Sequence, residues 1–379
     1  MSRRHIVIAG GGAAGLAAAV TAAELGAQVT LLERADRVGK KILQTGNGRC
    51  NLSNAAVAPE AYNAPDFTAP VLAQIPCEEL RAFFSAHGLF TYPDAEGRIY
   101  PVSDAASGVL DVLRLACEES GVQTLCGFDT VQLRTDGTAA AADGRTVTGD
   151  AVIVATGGGT RLLQNAGHRI MPFSPVLCPL KTDTAPVRGL SGLRVKCAVT
   201  LLRKGAPLRT QRGELLFRDY GVSGIVIFDL SRHAQPGDVL SINLLPDLSR
   251  DELCKLLYQR KTDHPLRAGE TFLTGMFHSR IDAAVLRAAG GDTPERLARA
   301  IQDFRLTVQG CGDSKQAQVT RGGEALSEFD PVTLCSRLHP WLFAAGEALD
   351  IDGACGGYNL HWAFASGITA GRYAAGGTL

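Results

Sequence analysis

The sequence has no excess of charge of either sign. Lysine and arginine together number 38, and aspartate and glutamate together also number 38, so the formal net charge is zero. Nucleic-acid-binding domains usually carry clustered positive charge, and no basic run stands out along this chain. We therefore expect no DNA or RNA partner. Hydrophobic residues make up 45% of the chain, which is typical of a globular protein.

The ten cysteines are scattered, and no two of them form a C-x-x-C pair. This spacing lacks the usual signatures of a metal cluster or a dithiol redox motif, so we expect no metal. No unbroken apolar run reaches the about 18 residues of a membrane span, since the nearest candidate, 13–25, contains Thr21 and Glu24. A strand-like pattern begins within the first residues and leaves no room for a targeting segment. We expect a cytoplasmic protein with reduced thiols and no membrane association.

Glycine is abundant, with 43 residues, and its clusters carry the first functional signal. Residues 5–9 (HIVIA) are apolar and rich in β-branched side chains, as in a buried parallel strand. The pattern Gly10-x-Gly12-x-x-Gly15 follows, and an alanine-rich helix is predicted over 13–25. A glycine turn in this position typically places a helix N-terminus against a pyrophosphate.

A second strand is predicted over 28–32, and it leads into Glu33. An acidic residue at this place commonly holds the ribose hydroxyls of a dinucleotide, and its charge disfavours a 2′-phosphate. Arg34 softens that second argument slightly. The motif by itself leaves FAD and NAD open, and a strand–helix–strand unit without a ligand can also carry it.

Two further glycine-rich segments suit the same kind of ligand. Residues 39–54 (GKKILQTGNGRCNLSN) combine positive charge, short polar side chains and a pliable backbone, as in a loop around an anionic ligand. Near the other end, a strand at 341–345 is followed by an acidic loop and by a helix at 359–374. The N-terminus of that helix would stabilise negative charge on a ring system. The alternatives are a solvated surface loop and an ordinary strand–helix unit.

A third glycine cluster ends a predicted strand in 150–160 (DAVIVATGGGT). The strand would lie in the parallel sheet, and the glycines would let the backbone pass close to a flat ligand. A simple strand-to-loop turn is the alternative interpretation. Upstream, residues 122–133 and 139–148 alternate as in a small antiparallel meander.

The middle of the chain has a different pattern. Short strands are predicted at 194–202, 214–218, 225–230, 239–244 and 304–309, and helices at 250–262, 270–289 and 293–303. No second strand–GxGxxG–helix unit occurs there, so a dedicated NAD(P)H domain is not expected. We predict a discontinuous dinucleotide-binding domain made of 1–186 and 319–379. An inserted domain at 187–318, helical at about 250–303, would exclude water from the cofactor and shape a substrate cavity.

Taken together, these segments resemble the HI0933-like (YhiN-type) bacterial FAD-binding flavoproteins, a family that includes aminoacetone oxidase and bile-acid reductase relatives. The resemblance rests on GGGAAGLAAA, GKKILQTGNGRCNLSN, GRIYPVSDAASGVLDVL at 97–113, VTRGG at 319–323 and AGEALDIDGACGGYN at 345–359, in this order along nearly the whole chain. It implies an α/β fold with a Rossmann-like, glutathione-reductase-like domain interrupted by the β-rich and helical insert. It also implies FAD as the cofactor.

The resemblance further implies which positions contact FAD. The expected contacts are Gly10, Gly12, Ala14 and Gly15 at the pyrophosphate, Glu33 at the adenosine ribose, Lys41, Asn47 and Gly48 along the middle of the cofactor, Val131 at the adenine through its backbone, Gly346 and Glu347 at the ribitol chain, and Gly357, Tyr358 and Asn359 at the isoalloxazine ring. We also expect Arg34, Thr156, Gly157 and Asp350 to lie at the cofactor.

Two departures from the family pattern bear on the substrate pocket. Cys355 stands where the family commonly has threonine. The stretch 217–231 (FRDYGVSGIVIFDLS) has Ile225 where proline is usual. What the resemblance implies about the substrate therefore transfers least.

These inferences predict an FAD-dependent oxidoreductase that acts on a small organic substrate, with hydride moving to or from flavin N5. Oxygen or transient NAD(P)H would be the other redox partner, and an amine oxidase and an enone-type reductase both fit. The alternatives are a flavin-binding module without turnover of its own and an RNA-linked flavoprotein. Candidate acid or base residues are His361, Tyr358, Cys355 and Arg49, each of which also has a packing or anchoring interpretation. The natural substrate and the oligomeric state are left open.

Overall fold

The computed structural model describes residues 3–159, 162–312 and 317–377. The chain divides into two compact units, of which unit 1 comprises 1–174 and 319–379 and unit 2 comprises Pro175–Gln318. The insert expected at 187–318 ends at the same residue as unit 2 but starts later, because a short strand before residue 187 also belongs to unit 2.

Unit 1 contains a five-stranded parallel sheet, smaller sheets and helices. The strands and helices of the whole unit are as follows. Its strands are β1 (His5–Ala9), β2 (Gln28–Glu33), β3 (Ser53–Asn54), β4 (Thr91–Pro93), β5 (Arg98–Pro101), β6 (Gln123–Cys126), β7 (Thr130–Leu133), β8 (Thr138–Ala141), β9 (Thr146–Thr148), β10 (Ala151–Val154), β11 (Ile170–Val176, which runs across the boundary), β18 (Val319–Glu324) and β19 (Leu342–Ala344). Its helices are α1 (Ala13–Glu24), α2 (Pro65–Gln74), α3 (Cys77–Ala86), α4 (Ala106–Glu119) and α9 (Tyr358–Ala374).

The parallel sheet has the strand order β19-β10-β1-β2-β6. Its central strand, β1, pairs in parallel with β10 and with β2, so that Val7 faces Val152 on one side and Thr30 on the other. The side chains of Ile6, Val7 and Ile8 are fully buried. Burial on both faces explains why this strand reads as a continuous apolar run, and the Rossmann-like α/β fold expected from the sequence is confirmed.

Helices α1 and α9 pack unusually close together. A Cβ built on Gly367 would overlap the carbonyl oxygen of Ala14, and one built on Gly371 would lie 2.5 Å from that of Ala18. The two helices run parallel, because the earlier residue of α1 faces the earlier residue of α9. Only glycine lets the two backbones approach this closely.

The antiparallel meander is smaller than the sequence suggested. Strands β7, β8 and β9 form it, with β8 pairing antiparallel to both neighbours. Strand β6, which the alternation over 122–133 assigned to the same meander, instead pairs in parallel with β2. The prediction was wrong for β6 because local alternation does not record which partner a strand finds.

Unit 2 consists of a barrel and helices. Its strands are β12 (Leu180–Thr182), β13 (Arg194–Arg203), β14 (Ala206–Arg218), β15 (Gly221–Ser223), β16 (Val239–Asn243) and β17 (Phe304–Cys311), and they close in the order β12-β15-β14-β13-β16-β17. Its helices are α5 (Ile225–Ser231), α6 (Arg250–Asp263), α7 (Ser279–Ala289) and α8 (Pro294–Gln302).

Two predictions in unit 2 need correction. Residues 225–230, predicted as a strand from their β-branched run, form α5. Gly224 has a φ of 103° and turns the chain so that β15 cannot continue, and the apolar side chains of Val226 and Ile227 are buried in the core of unit 2. Helix α7 begins at Ser279 rather than at residue 270. Within the described ranges, no helix combines the length and apolarity that crossing a bilayer requires.

Candidate cofactor site

The glycine turn after β1 depends on close backbone contacts. Gly10 has a φ of 110°, and a Cβ there would lie 2.5 Å from the carbonyl oxygen of Ala155. A Cβ on Gly15 would overlap the carbonyl oxygen of Gly10. Side chains are therefore excluded at both positions by the protein itself.

Gly12 differs from its neighbours because a Cβ there would meet nothing within 4 Å. It is the N-cap residue of α1, no side chain caps that helix, and its first turn holds no acidic residue. The uncapped N–H groups at the start of a helix attract anions. Open space, uncapped backbone N–H groups and the positive end of the helix dipole therefore coincide at the position where we expect the pyrophosphate.

Glu33 ends β2 beside this turn. One oxygen of its carboxylate accepts a hydrogen bond from the backbone N–H of Gly11 at 2.8 Å, and the other accepts one from Ala35 at 2.8 Å. These bonds hold both carboxylate oxygens in place as acceptors beside the turn, which suits ribose hydroxyl donors. The side chain of Arg34 is exposed.

A second cluster joins three segments that are far apart in sequence. Lys41 Nζ lies 3.6 Å from Glu347 Oε2, and the N–H of Gly158 donates to the same oxygen at 3.3 Å. Gly157 lies against both side chains, since a Cβ there would be 3.3 Å from Lys41 Nζ. Thr156 precedes this turn directly, whereas Thr160 lies outside the described residues. The structure therefore brings together the three glycine-rich segments singled out in the sequence.

The loop at 42–49 has a strained backbone. Gly46 and Asn47 follow one another with φ of 55° and 56°, and a Cβ on Gly48 would meet nothing within 4 Å. Left-handed residues of this kind turn the chain tightly, which favours glycine and asparagine at these positions. Arg49 instead anchors the loop: its guanidinium donates to Asp104 at 2.6 Å and to Tyr92 at 3.0 Å.

The start of α9 is the second helix N-terminus at the site. Gly357 has a φ of 104°, and a Cβ there would overlap the backbone of Ser53. With the amide of Asn51 oriented so that its oxygen faces Gly357 and its nitrogen faces Ser53, the oxygen accepts from the N–H of Gly357 at 3.1 Å. Asn359 Oδ1 accepts from the N–H of Gly353 at 2.7 Å, and Tyr62 donates to the carbonyl of Tyr358 at 2.9 Å. The 39–54 loop and the approach to α9 therefore hold each other in place.

His361 faces the protein interior. It is 0% exposed, Nδ1 lies 2.8 Å from Ser53 Oγ, and Nε2 lies 3.0 Å from the carbonyl oxygen of Ile75. Burial lowers the pKa of His361 to about 4. Both ring nitrogens are thus engaged by protein groups, and the neutral imidazole joins α9 to the preceding segments.

Gly346 connects the end of β19 to both packed helices. A Cβ there would lie 3.1 Å from that of Ala14, its N–H donates to Ser366 Oγ at 2.8 Å, and its carbonyl accepts from Trp362 at 3.1 Å. Asp350 follows and accepts from the N–H of Gly322 at 2.9 Å. Burial raises the pKa of Asp350.

Two further expected residues are Val131 and Cys355. Val131 sits on the edge of the meander with its side chain 44% exposed, and its carbonyl accepts from Asn165 at 3.2 Å. Cys355 is partly buried in the turn before α9.

The residues present fit an extended flavin dinucleotide. Gly367 of α9 and Ala14 of α1 face each other, so they give a common reference point on the two helices. Helix α9 begins nine residues before Gly367, whereas α1 begins one residue before Ala14. At the rise of an α-helix, the start of α9 therefore extends about 12 Å beyond the start of α1 in the same direction. A ligand that reaches both helix starts must span this distance, which suits an extended dinucleotide.

The buried carboxyl group of Glu324 beside this site was not predicted from the sequence. Glu324, the last residue of β18, is 2% exposed, and its Oε2 has no hydrogen-bond partner within the described ranges. Burial raises the pKa of Glu324 to about 8, and the charge of Glu328 adds to the effect. Arg321, on the same strand, pairs with the fully buried Asp352 at 2.7 Å. Glu324 directly follows the quoted VTRGG stretch, but its burial leaves no local signal.

Comparison with known proteins identifies relatives over nearly the full chain. The family model described as the HI0933-like protein Rossmann domain matches residues 4–373. The chain is 36% identical to the 3-dehydro-bile acid delta(4,6)-reductase of Clostridium scindens, over 98% of this chain and 99% of the relative. It is 28% identical to the ribosomal RNA dihydrouridine synthase of Escherichia coli, over 97% of this chain and 96% of the relative.

Among solved structures, the open conformation of a flavocytochrome c3 fumarate reductase aligns with 99% of this chain and 78% of that chain, at 17% identity and a TM-score of 0.49. The family model and the reductase relative both span almost the entire sequence, which confirms the resemblance noted from the motifs. The chain therefore belongs to the HI0933-like family of Rossmann-fold flavoprotein oxidoreductases.

Proposed function

We propose that this protein is an FAD-dependent reductase of carbon–carbon double bonds conjugated to a carbonyl group. The observation that carries the proposal is the pair of parallel helix N-termini, at Gly12 and Gly357, offset by about 12 Å. The relatives' names support the reaction class. A 3-dehydro-bile acid delta(4,6)-reductase and a dihydrouridine synthase both saturate a double bond in conjugation with a carbonyl.

When bound, FAD supplies hydride transfer at its N5 atom. The chain's own contribution is binding and electrostatics. Gly12 and the start of α1 would hold the pyrophosphate, and Glu33 the adenosine ribose. The backbone N–H groups at the start of α9, beside Gly357, would stabilise negative charge on the ring.

We assign the acid–base part of the reaction to none of the buried residues described above. His361 has both nitrogens engaged, so we place it in a positioning role. The reductant is proposed to be NAD(P)H, which would bind transiently because the sequence carries one GxGxxG unit. A small organic substrate, rather than a macromolecule, is the first expectation.

Anaerobic spectroscopy tests the proposal. The FAD-loaded protein is reduced with NADPH or NADH, and conjugated enones, saturated ketones and amines are added in separate reactions. We expect only the enones to restore the oxidised flavin spectrum, with a saturated product found by mass spectrometry. Reoxidation by none of these compounds would favour a flavin-binding module without turnover. In a separate reaction the amines are added to the oxidised protein without NAD(P)H, and flavin reduction there would indicate an oxidase.

A second candidate substrate is a uracil base in RNA. One observation besides the synthase relative favours it: an arginine-rich cavity of about 750 Å³ in unit 2. The arginines that line it are Arg287, Arg296, Arg299 and Arg305, with Asp303 as the acidic residue among the lining side chains. Guanidinium groups match phosphate oxygens in a bidentate manner.

An unmodified ribosomal RNA transcript distinguishes the two substrates. Under the RNA hypothesis, incubation with the reduced protein adds about two mass units to a uridine, and Arg299→Gln weakens RNA binding. The matched control is Arg114→Gln, which changes an exposed arginine on α4 of unit 1. An unchanged transcript, together with turnover of small enones, would support the small-molecule reductase.

A further inference from the structure

Two cysteines that are distant in sequence meet in unit 2. The Sγ atoms of Cys178 and Cys311 lie 2.7 Å apart. The backbone holds them together on both sides: Leu180 pairs with Cys311 between β12 and β17, and the N–H of Gly312 donates to the carbonyl of Pro179 at 2.7 Å. The contact is thus built into the closure of the barrel.

Cys178 is also fixed from the other side. Its N–H donates to Ser231 Oγ at 3.1 Å, and that hydroxyl donates to the carbonyl of Phe228 at 2.6 Å. Sulfur atoms in a disulfide are separated by about 2.05 Å. Joining this pair would therefore need the two sulfurs to move closer by only about 0.6 Å.

The two thiols differ in access. Cys178 is 1% exposed, and burial together with the neighbouring thiol raises its pKa to about 12. Cys311 is partly exposed at the end of β17. Oxidants are therefore expected to reach Cys311 first and to leave Cys178 as the resolving thiol.

We infer that Cys178 and Cys311 are a redox-sensitive pair that forms a reversible intramolecular disulfide on exposure to hydrogen peroxide. The Cys311 sulfur attacks one peroxide oxygen, the O–O bond breaks, and one water leaves, which gives a sulfenic acid. The Cys178 sulfur then attacks the Cys311 sulfur, the S–O bond breaks, and a second water leaves. The two thiols lose two electrons and two protons, and the peroxide is reduced to two waters.

The position of the pair gives the bond a structural consequence. Cys178 follows the start of unit 2 at Pro175 closely, and Cys311 precedes its end at Gln318. A disulfide would close almost all of unit 2 into one covalent loop, and cross-links that close long loops constrain the unfolded chain strongly. The inference is independent of the proposed substrate, and it qualifies the expectation that all ten cysteines stay reduced.

The pair is specific within unit 2. Cys197 is buried on β13 and Cys254 is partly buried on α6, and neither contacts a second thiol within the described ranges. Cys254 therefore provides a matched control, because it shares the unit and the partial exposure of Cys311.

The experiment treats the full-length, FAD-loaded protein with hydrogen peroxide, blocks free thiols with N-ethylmaleimide, and maps peptides under non-reducing conditions. We expect a linked peptide containing Cys178 and Cys311 that dithiothreitol releases. Cys311→Ser should abolish the link, and Cys254→Ser should leave it unchanged. Both cysteines still alkylated, or Cys311 oxidised further without a link, would overturn the inference.

A thermal measurement checks the structural consequence and guards against a variant that fails to fold. The oxidised wild-type protein should show a Tm at least about 4 °C above that of the reduced protein. Cys311→Ser, at the more exposed position, should fold and show no such difference. An equal shift in the variant would assign the effect to another oxidised residue and contradict the proposed pair.

Discussion

Gly367 of α9 lies so close to Ala14 of α1 that a single methyl group on the glycine would overlap the alanine carbonyl oxygen. This contact sets the distance between the two helices and, through them, the positions of both N-termini at the cofactor site. The geometry of the site therefore depends on residues that need not touch the ligand.

We predict that Gly367→Ala destabilises the protein by about 1–3 kcal/mol, because the helices must separate or shift to accept the methyl group. Chemical denaturation measures the loss, and the FAD content of the purified variant should fall with it. Gly108→Ala in α4 is the control, since its Cβ would meet the side chain of Ser103, with the hydroxyl oxygen at 3.1 Å, rather than the backbone of another helix. Similar stability of the two variants would show that α1 and α9 tolerate wider spacing.

We predict that Glu33→Gln weakens FAD binding about 10- to 100-fold, because a charged acceptor for the ribose hydroxyls is replaced by a neutral amide. FMN lacks the adenosine ribose, so its affinity should change little. Titration of the apoprotein with each flavin measures both effects. Glu24→Gln, at the exposed end of α1, is the matched control. Equal losses for FAD and FMN would indicate that the variant disturbs the glycine turn through Gly11 instead.

His361 gives a pH-dependent prediction. Its pKa is about 4 in the folded protein and 6.5 for the unperturbed side chain, so the folded state disfavours protonation. The stability due to the neutral imidazole is fully present above pH 6.5 and is lost as the pH falls towards 4, by roughly 3 kcal/mol. His361→Gln should flatten this part of the stability curve relative to the wild type.

The same variant separates positioning from catalysis. If His361 only positions α9, the pH profile of flavin reoxidation by substrate keeps its apparent pKa values in His361→Gln. The exposed His264 serves as the control position for both measurements. A profile that shifts in His361→Gln while its fold is intact would assign proton transfer to the imidazole.

The pH dependence of stability expected for Glu324 has the opposite sign to that for His361. Its folded pKa is about 8 against an ordinary value of 4.5, so the folded state favours the protonated carboxyl. The associated stability is fully present below pH 4.5 and is lost as the pH rises through 8, by on the order of a few kcal/mol. Glu324→Gln should therefore become more stable than the wild type near pH 9, measured by urea denaturation across pH. Glu60→Gln, an exposed carboxylate, should show no such crossover.

The parts of the site that follow local rules could be predicted from the sequence. The turn at Gly10, the acidic end of β2 at Glu33 and the start of α9 near Asn359 each combine a periodic element with a glycine or a charge at a fixed offset. Their physical requirements act over a few residues, so the sequence records them directly.

The remaining features depend on partners that are distant along the chain. Nothing near residue 225 shows that the β-branched run becomes α5, because tertiary packing overrides local propensity there. The thiol pair of Cys178 and Cys311 and the bond between Asn51 and Gly357 likewise arise only when strands and loops meet. The role of His361 could not be assigned either, because its orientation is set by Ser53 and Ile75.

The interruption of unit 1 by unit 2 has a consequence for biosynthesis. Strand β19 and helix α9 are translated after all of residues 175–318, so the ribosome delivers one edge of the parallel sheet only after the insert has emerged. Until then β10 lacks its outer neighbour, and the nascent protein has the N-terminus of α1 without that of α9. Because the proposed site needs both helix starts, we expect the flavin to be loaded in the last stage of synthesis.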